Sequence, residues 1–287
     1  MISMVAKDDN ILIFGGSGFL GEELVKFLTS SGHKNITIFA RDEGKMINLK
    51  QEYPDIDFVT GDISDKFEVL QAMRNKDCIF HLAAFKHVGL AEKQIRECIK
   101  SNLIGSLNIL ECSVELKPKF VVTTSTDKAV QVSGVYGATK YLVERLFHQF
   151  EKVNDDTQYR VVRYGNVLYS TGSVLCKWKK LIKEGREVIV TDPEATRFFW
   201  TVSEAINLIF DCLGNAKDST PYCPDMKSMT IGDLLEAMIR KYSNGPRSSI
   251  KVIGLQRGEN KHEKILVDGL SSDQVPKFTI EEIMGLI

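Results

Sequence analysis

The stretch ILIFGGSGFLGEEL, residues 11–24, leaves little choice of fold. Four strand-type apolar residues run into a turn carrying Gly15, Gly18 and Gly21, and a helical pattern follows at once. Glycines so placed permit a tight turn and let backbone N–H groups approach a diphosphate, which the opening of the helix then faces. Further apolar runs begin at Ile36, Asp57, Cys78, Phe120 and Arg160, each bounded by turn residues. They alternate with helical spacing over residues 18–31, 66–75, 95–116 and 137–153. Strand and helix in alternation predict an α/β fold: a Rossmann-like, doubly wound parallel sheet with right-handed crossovers.

Beyond residue 170 the rhythm changes. A helix is expected over 174–184, a short strand from Val188, then TRFFW leading into a helix near 204–212, and a helix over 231–242 between the turn-rich joints PYCPD and SNGPRSS. The expected division is a cofactor-binding portion over 1–168, its sheet completed by about 196–223, and a smaller C-terminal substrate-binding portion over 169–195 and 224–287.

With 287 residues, 43% of them hydrophobic, the chain can bury an enzyme-sized core. Its 37 basic and 38 acidic residues nearly cancel, so no overall field favours nucleic acid or an anionic membrane, and an anionic ligand must be captured locally. No apolar run reaches the roughly 20 residues of a membrane span, and MISMVAKDDN has no apolar signal core. The six cysteines form no C-x-x-C pair, which suits reduced thiols without disulfides or zinc. His81, His87, His148 and His262 have no metal-ligand spacing, and no metal is expected. A cytoplasmic protein follows as the expectation.

The second strand ends in FARDEGK, about 20 residues past Gly21, where the adenosine ribose of a dinucleotide is met. Arg41 and Lys45 can neutralise a 2'-phosphate, while Asp42 could accept from a free ribose hydroxyl. Guanidinium binds phosphate by charge-assisted, often bidentate bonds, so NADP is favoured over NAD. Asp62, in GDISD, is a candidate adenine contact. After the fifth strand, Tyr136 and Lys140 stand four apart and share a helix face. A lysine ammonium there would lower the tyrosine pKa and make Tyr136 a base toward a substrate hydroxyl, with Thr126 orienting it.

STDKAV (125–130) followed by YGATK (136–140) resembles the inverting UDP-N-acetylglucosamine 4,6-dehydratases, the flagellin-glycosylation and capsule branch of the extended short-chain dehydrogenases/reductases. AAFKHV, SNLIGSLNIL, RYGNVLYSTGSV, TRFFWT and RGENKHE are similar to that family's motifs in the same order, while QVSG stands where the family usually has an Asn-Pro pair. The resemblance implies that Tyr136, with Lys140 and Thr126, takes the sugar 4-hydroxyl proton during oxidation to a 4-ketone. Lys128 then acts as base at carbon 5 and Asp127 as acid on the departing 6-hydroxyl, with carbon 5 inverted. These roles require a neutral Lys128 and a protonated Asp127, which burial could supply. The expected cofactor contacts are Gly15, Ser17, Gly18, Phe19, Leu20, Gly21, Arg41, Asp42, Lys45, Asp62, Ile63, Ala83, Ala84, Lys86, Asn102, Tyr136 and Lys140. The expected UDP-sugar contacts are Lys86, Asn166, Val174, Arg197, Arg257 and Glu259. A UDP-sugar 4-epimerase or a UDP-glucose 4,6-dehydratase would share most of these residues, but an epimerase has no use for Asp127 and Lys128. A regulator that binds NADP without turnover would not need Tyr136 and Lys140. Relatives assemble as dimers or hexamers, and the helices over 95–116 and 137–153 could supply the contact.

Overall fold

The computed structural model describes residues 4–245 and 248–287. Residues 1–3 of the N-terminal stretch and residues 246–247 of the SNGPRSS joint lie outside the described residues. The main sheet is built from β1 (Ile11–Phe14), β2 (Ile36–Ala40), β3 (Asp57–Thr60), β4 (Cys78–His81), β5 (Phe120–Thr126) and β6 (Gln158–Tyr164). It is parallel throughout, in the order β3-β2-β1-β4-β5-β6. The direction of winding reverses between β1 and β4, and the carboxyl ends there open a crevice of the kind that collects ligands in such sheets.

Both faces are covered, so the strands read as apolar runs and alternate residues serve two cores. Ile11 and Ile13 pack with Ile38, Phe80 and Val122 on one face, while Leu12 and Phe14 pack with Phe39, Ile79 and Val121 on the other. The intervening helices are α1 (Phe19–Ser30), α2 (Glu43–Glu52), α3 (Lys66–Met73), α4 (Val88–Ala91), α5 (Ile95–Cys98), α6 (Gly105–Leu116) and α7 (Val135–Val153). The helix expected over 95–116 is continuous but runs through a π-helical stretch, Ile99–Ile104, between α5 and α6. Wide turns of this kind recur at functional sites.

The remainder comprises β7 (Asn166–Val167), α8 (Val174–Lys183), β8 (Val188–Val190), β9 (Thr196–Trp200), α9 (Val202–Asn215), β10 (Ser228–Thr230), α10 (Ile231–Tyr242), β11 (Ile250–Val252) and α11 (Ile280–Leu286). The segment 196–223 divides its allegiance. Helix α9 adds Ile206, Ile209 and Leu213 to the core shared with α1, and Tyr222 makes a parallel bridge to Val162. Strand β9, however, pairs with β7 and β10 in a separate sheet of three strands. A distinct core gathers Leu175, Trp178, Ile182, Val190, Phe199, Leu234 and Met238 from the C-terminal elements. Among the described residues, no helix is long and apolar enough to cross a membrane.

Candidate active site

At the end of β1 the chain turns through Gly15, whose φ is +80°, into α1. A Cβ on Gly15 would lie 2.7 Å from the Ala83 nitrogen and 2.8 Å from its Cα, so only glycine lets the loop pass the segment after β4. No side chain caps α1 at Gly18, which leaves first-turn N–H groups for a ligand. The loop borders a cavity of about 520 Å³ along the carboxyl ends of the main strands. Gly15, Ser17, Gly18, Phe19, Leu20, Gly21, Arg41, Asp42, Lys45, Ile63, Ala83, Ala84, Lys86, Tyr136 and Lys140 all line it. A bare glycine cradle, an uncapped helix start and two cations at the far end fit a dinucleotide. At that end Asp42 is the N-cap of α2 and accepts from the Lys45 N–H at 3.1 Å.

Two expected cofactor contacts do not line this cavity. Asp62 accepts from the Ser64 N–H and hydroxyl, both at 2.9 Å, and pairs with Lys100 at 3.4 Å, while its neighbours Gly61 and Ile63 face the space. Asn102 is buried on the π-helical stretch: its Oδ1 accepts from the Phe85 N–H at 2.6 Å, and its Nδ2 donates to Phe85 O at 3.1 Å and to Thr139 Oγ1 at 3.0 Å. It braces the segment carrying Lys86.

Strand β5 delivers Thr126 and Asp127 to the crevice, and α7 delivers Tyr136 and Lys140 beside them. The approach is close because Gly137 lies against the Asp127–Lys128 turn, where a Cβ would sit 2.3 Å from Lys128 O. Thr126 Oγ1 donates to Asp127 Oδ1 at 2.9 Å, and Lys128 Nζ donates to the same oxygen at 3.1 Å. Lys140 Nζ donates to Thr124 O at 2.8 Å. Burial pushes Lys140 down to about 8, against the pull of Glu144.

Two protonation states differ from expectation. Tyr136 is pushed up to about 12, because burial outweighs the opposing influence of Lys128 and Thr126. The helix spacing does not translate into a lowered pKa: Lys140 turns its ammonium to the strand carbonyl, and the cation that eases Tyr136 is Lys128. Lys128 is itself displaced upward. Burial alone would lower it, but Asp127 and Glu263 flank the ammonium and outweigh that effect. The unliganded protein therefore holds Lys128 charged and not neutral.

A second cavity, about 550 Å³, adjoins the first, and both are lined by Lys86, Lys128 and Asn166. Val174, Arg197 and Glu259 also line it, as expected of sugar-nucleotide contacts. Arg257 does not: it is 92% exposed and, among the described residues, pairs with Glu92 at 3.8 Å. Positive charge in this space comes instead from Lys177, on the first turns of α8, and from Lys86, Lys128 and Arg197. Lys177 was hidden by its setting, since KWKKLIK reads as one solvated basic face. Glu263 was missed for another reason. It belongs to RGENKHE, yet only folding brings its carboxylate, fully buried, to 3.5 Å from Lys128 Nζ and 3.9 Å from Arg197 Nε.

The family model described as polysaccharide biosynthesis protein matches residues 11–284. An uncharacterized membrane protein of Methanocaldococcus jannaschii is 37% identical over 276 residues, covering 93% of this chain and 83% of the relative. A UDP-N-acetylglucosamine 4,6-dehydratase (inverting) of Campylobacter jejuni is 36% identical over 260 residues, 88% of this chain and 76% of that one. The crystal structure of Pen from Bacillus thuringiensis superposes with a TM-score of 0.92 at 30% identity, covering 98% of this chain and 97% of that one. Matched over nearly its whole length in sequence and in fold, the chain belongs to the polysaccharide biosynthesis protein family, a Rossmann-type group of nucleotide-sugar short-chain dehydrogenases/reductases.

Proposed function

We propose that the protein is a UDP-N-acetylglucosamine 4,6-dehydratase that inverts carbon 5 and uses NADP. The observation that carries this reading is the junction of the two cavities, where Lys128, hydrogen-bonded to Asp127, stands at the mouth of a dinucleotide-shaped space lined by Tyr136 and Lys140. The inverting dehydratase of Campylobacter jejuni supports the choice of reaction. Residues 1–168 would hold the cofactor, and 169–195 with 224–287 the UDP-sugar.

Gly15, Gly18 and the start of α1 would hold the diphosphate of the cofactor, and Arg41 with Lys45 its 2'-phosphate. The presence of Arg41 and Lys45 together on that end of the cavity supports NADP over NAD. When bound, NADP would supply the hydride acceptor for oxidation at carbon 4 and the hydride donor for reduction at carbon 6. Tyr136 takes the 4-hydroxyl proton as the ketone forms, and Lys128 stabilises the phenolate. The ketone acidifies carbon 5. Transfer of a proton from Lys128 to Asp127 along their hydrogen bond would leave a neutral amine and a carboxylic acid. Lys128 would then take the carbon-5 proton, Asp127 would protonate the 6-hydroxyl, the carbon–oxygen bond would break and water would leave. A proton from solvent would reach the opposite face of carbon 5 as carbon 6 is reduced. Lys86, Lys177 and Arg197 would meet the UDP diphosphate, with Asn166 as an amide donor and Val174 and Glu259 toward the nucleoside. Exposed Ile95, Ile99, Tyr141 and Leu142 on the helical run from α5 to α6 and on α7 support assembly as a homo-oligomer, dimer or hexamer. Six free cysteines are in keeping with a cytoplasmic setting.

A UDP-sugar 4-epimerase is the second reading, favoured by one observation: Asp127 and Glu263 flank the Lys128 ammonium and raise its pKa, and an epimerase needs no base at carbon 5. Incubation with UDP-N-acetylglucosamine in heavy water separates the two. Loss of one water with deuterium at carbon 5 establishes the dehydratase, and the ring couplings report inversion. An isobaric product without deuterium means epimerisation at carbon 4, and unchanged substrate in a protein loaded with dinucleotide removes both.

A further inference from the structure

Glu263 has no exposed surface, and its Oε1 has no hydrogen-bond donor, although two cations face it. Lys128 approaches that oxygen from the turn after β5, at 3.5 Å, and Arg197 approaches it from β9, at 3.9 Å. The other carboxylate oxygen accepts from Asn260 Nδ2 at 3.2 Å, and the backbone N–H of Glu263 donates to the buried Ser272 hydroxyl at 2.9 Å. Ser272 in turn bonds Thr196, which neighbours Arg197, so the carboxylate is built in from two elements. Asp127 completes the cluster from the far side of Lys128, with one oxygen, Oδ2, likewise buried and unpartnered. Burial raises the Glu263 carboxyl above its ordinary range, against the pull of Lys128 and Arg197, and two carboxyl groups and two cations thus meet in an array that borders both cavities.

Such an array does not by itself require Glu263. Asp127 alone could pair Lys128, and Arg197 Nη1 already donates to Thr196 O at 2.8 Å and to Lys261 O at 3.0 Å. A second carboxylate, fully desolvated and short of donors, is costly to bury unless it acts on the cations it faces. We propose that Glu263 is a positioning residue that holds Lys128 as its ammonium and competes with the diphosphate of the ligand for Arg197. The proposal rests on reading the second cavity as the UDP-sugar site only in its second half. The charge of Lys128 can be read with no ligand present.

The geometry makes the two halves reciprocal. An anion that satisfies Arg197 weakens its tie to Glu263, and loss of the Glu263 charge leaves Arg197 freer to bind an anion. The groups that bear on Glu263 are Lys128, Asp127, Arg197 and Asn260. Tyr136, from α7, bears on Lys128.

The test compares the wild type with Glu263→Gln, which keeps the shape but not the charge, and Glu263→Asp, which keeps the charge on a shorter arm. Competitive amine labelling across pH, quantified by mass spectrometry, gives the titration of Lys128 in the ligand-free protein, and calorimetry gives the affinity for UDP. In Glu263→Gln the Lys128 titration should fall by about one unit or more, and UDP should bind on the order of fivefold tighter. Glu263→Asp should keep the wild-type titration. An unchanged titration in Glu263→Gln overturns the proposal, as does an equal fall in both variants or weaker UDP binding, each the mark of a merely structural residue. If the wild type binds no UDP, the UDP-sugar reading fails while the labelling result still judges the hold of Glu263 on Lys128.

Discussion

Gly15 offers a perturbation whose size can be worked from the backbone. An alanine there meets two penalties. The first is conformational: at φ +80° an L-residue is strained by about 1–2 kcal/mol relative to glycine. The second is steric, since the new Cβ would lie 2.7 Å from the Ala83 nitrogen and 3.0 Å from the Leu82 carbonyl carbon, all backbone atoms of a segment that leaves a central strand. Backbone cannot swing aside as a side chain would, and forced overpacking costs about 1–3 kcal/mol. Gly15→Ala should therefore destabilise the protein by about 2–5 kcal/mol, taking both terms together. Gly32 is the internal control: its φ is +86°, but nothing lies within 4 Å of its virtual Cβ, so Gly32→Ala should show the conformational term alone. Chemical denaturation of both variants, with dinucleotide titration beside it, measures the difference. Only Gly15→Ala should also weaken the dinucleotide, because only that loop lines the cavity. Equal destabilisation of the two variants, or an unaltered dinucleotide affinity in Gly15→Ala, refutes the steric argument.

Tyr136→Phe should lower turnover by roughly 10²–10⁴-fold while the dinucleotide still binds, and a variant with turnover near that of the wild type removes Tyr136 from the chemistry. Arg41→Ala should weaken NADP about tenfold or more, the worth of a charge-assisted phosphate bond, and leave NAD unaffected. Titration of each dinucleotide decides, and equal losses count against NADP. Glu144 accepts from Ser125 Oγ at 2.5 Å and from Arg163 Nε and Nη2 at 3.0 and 2.6 Å, so Glu144→Ala strands a buried guanidinium and should cost about 3–5 kcal/mol in denaturation. Lys140, held down at about 8 against an ordinary 10.5, carries its burial penalty in full below pH 8. Between 8 and 10.5 the unfolded chain binds the extra proton, so this contribution to stability rises with pH. The stability advantage of Lys140→Met over the wild type should accordingly shrink by about 3 kcal/mol across that window, and a constant difference refutes the assignment.

Five strands of the main sheet were legible because each is an apolar run buried on both sides, the exposed edge strand β3 because DFVT stands between turn residues, and the glycine loop because its spacing has a mechanical reason. Helix α2 was not legible. EGKMINLKQE buries only Met46 and Leu49, too few for a periodic signal. β7, β10 and β11 are two or three residues long, below what alternation can register, and exist because long-range partners extend them. The site divides along the same line. Residues that act through local backbone, such as Gly15, Tyr136 and Lys140, could be named from spacing. Those that act by convergence could not: Glu263 reaches Lys128 across 134 intervening positions, and Arg257, though in the same motif, is turned away toward Glu92.

The amide of Asn102 engages both the N–H and the carbonyl of Phe85, which is the pairing a neighbouring strand would offer. One side chain thereby prolongs the sheet past the end of β4, as a splint, and the next residue is Lys86, which faces both cavities. A wall already splinted loses little motional freedom when ligands arrive, so binding there is not taxed by the entropy of ordering a loop. Replacing Asn102 by leucine should leave every ligand-facing group in place chemically, yet raise amide exchange at residues 83–86 and make dinucleotide binding more entropically opposed in calorimetry.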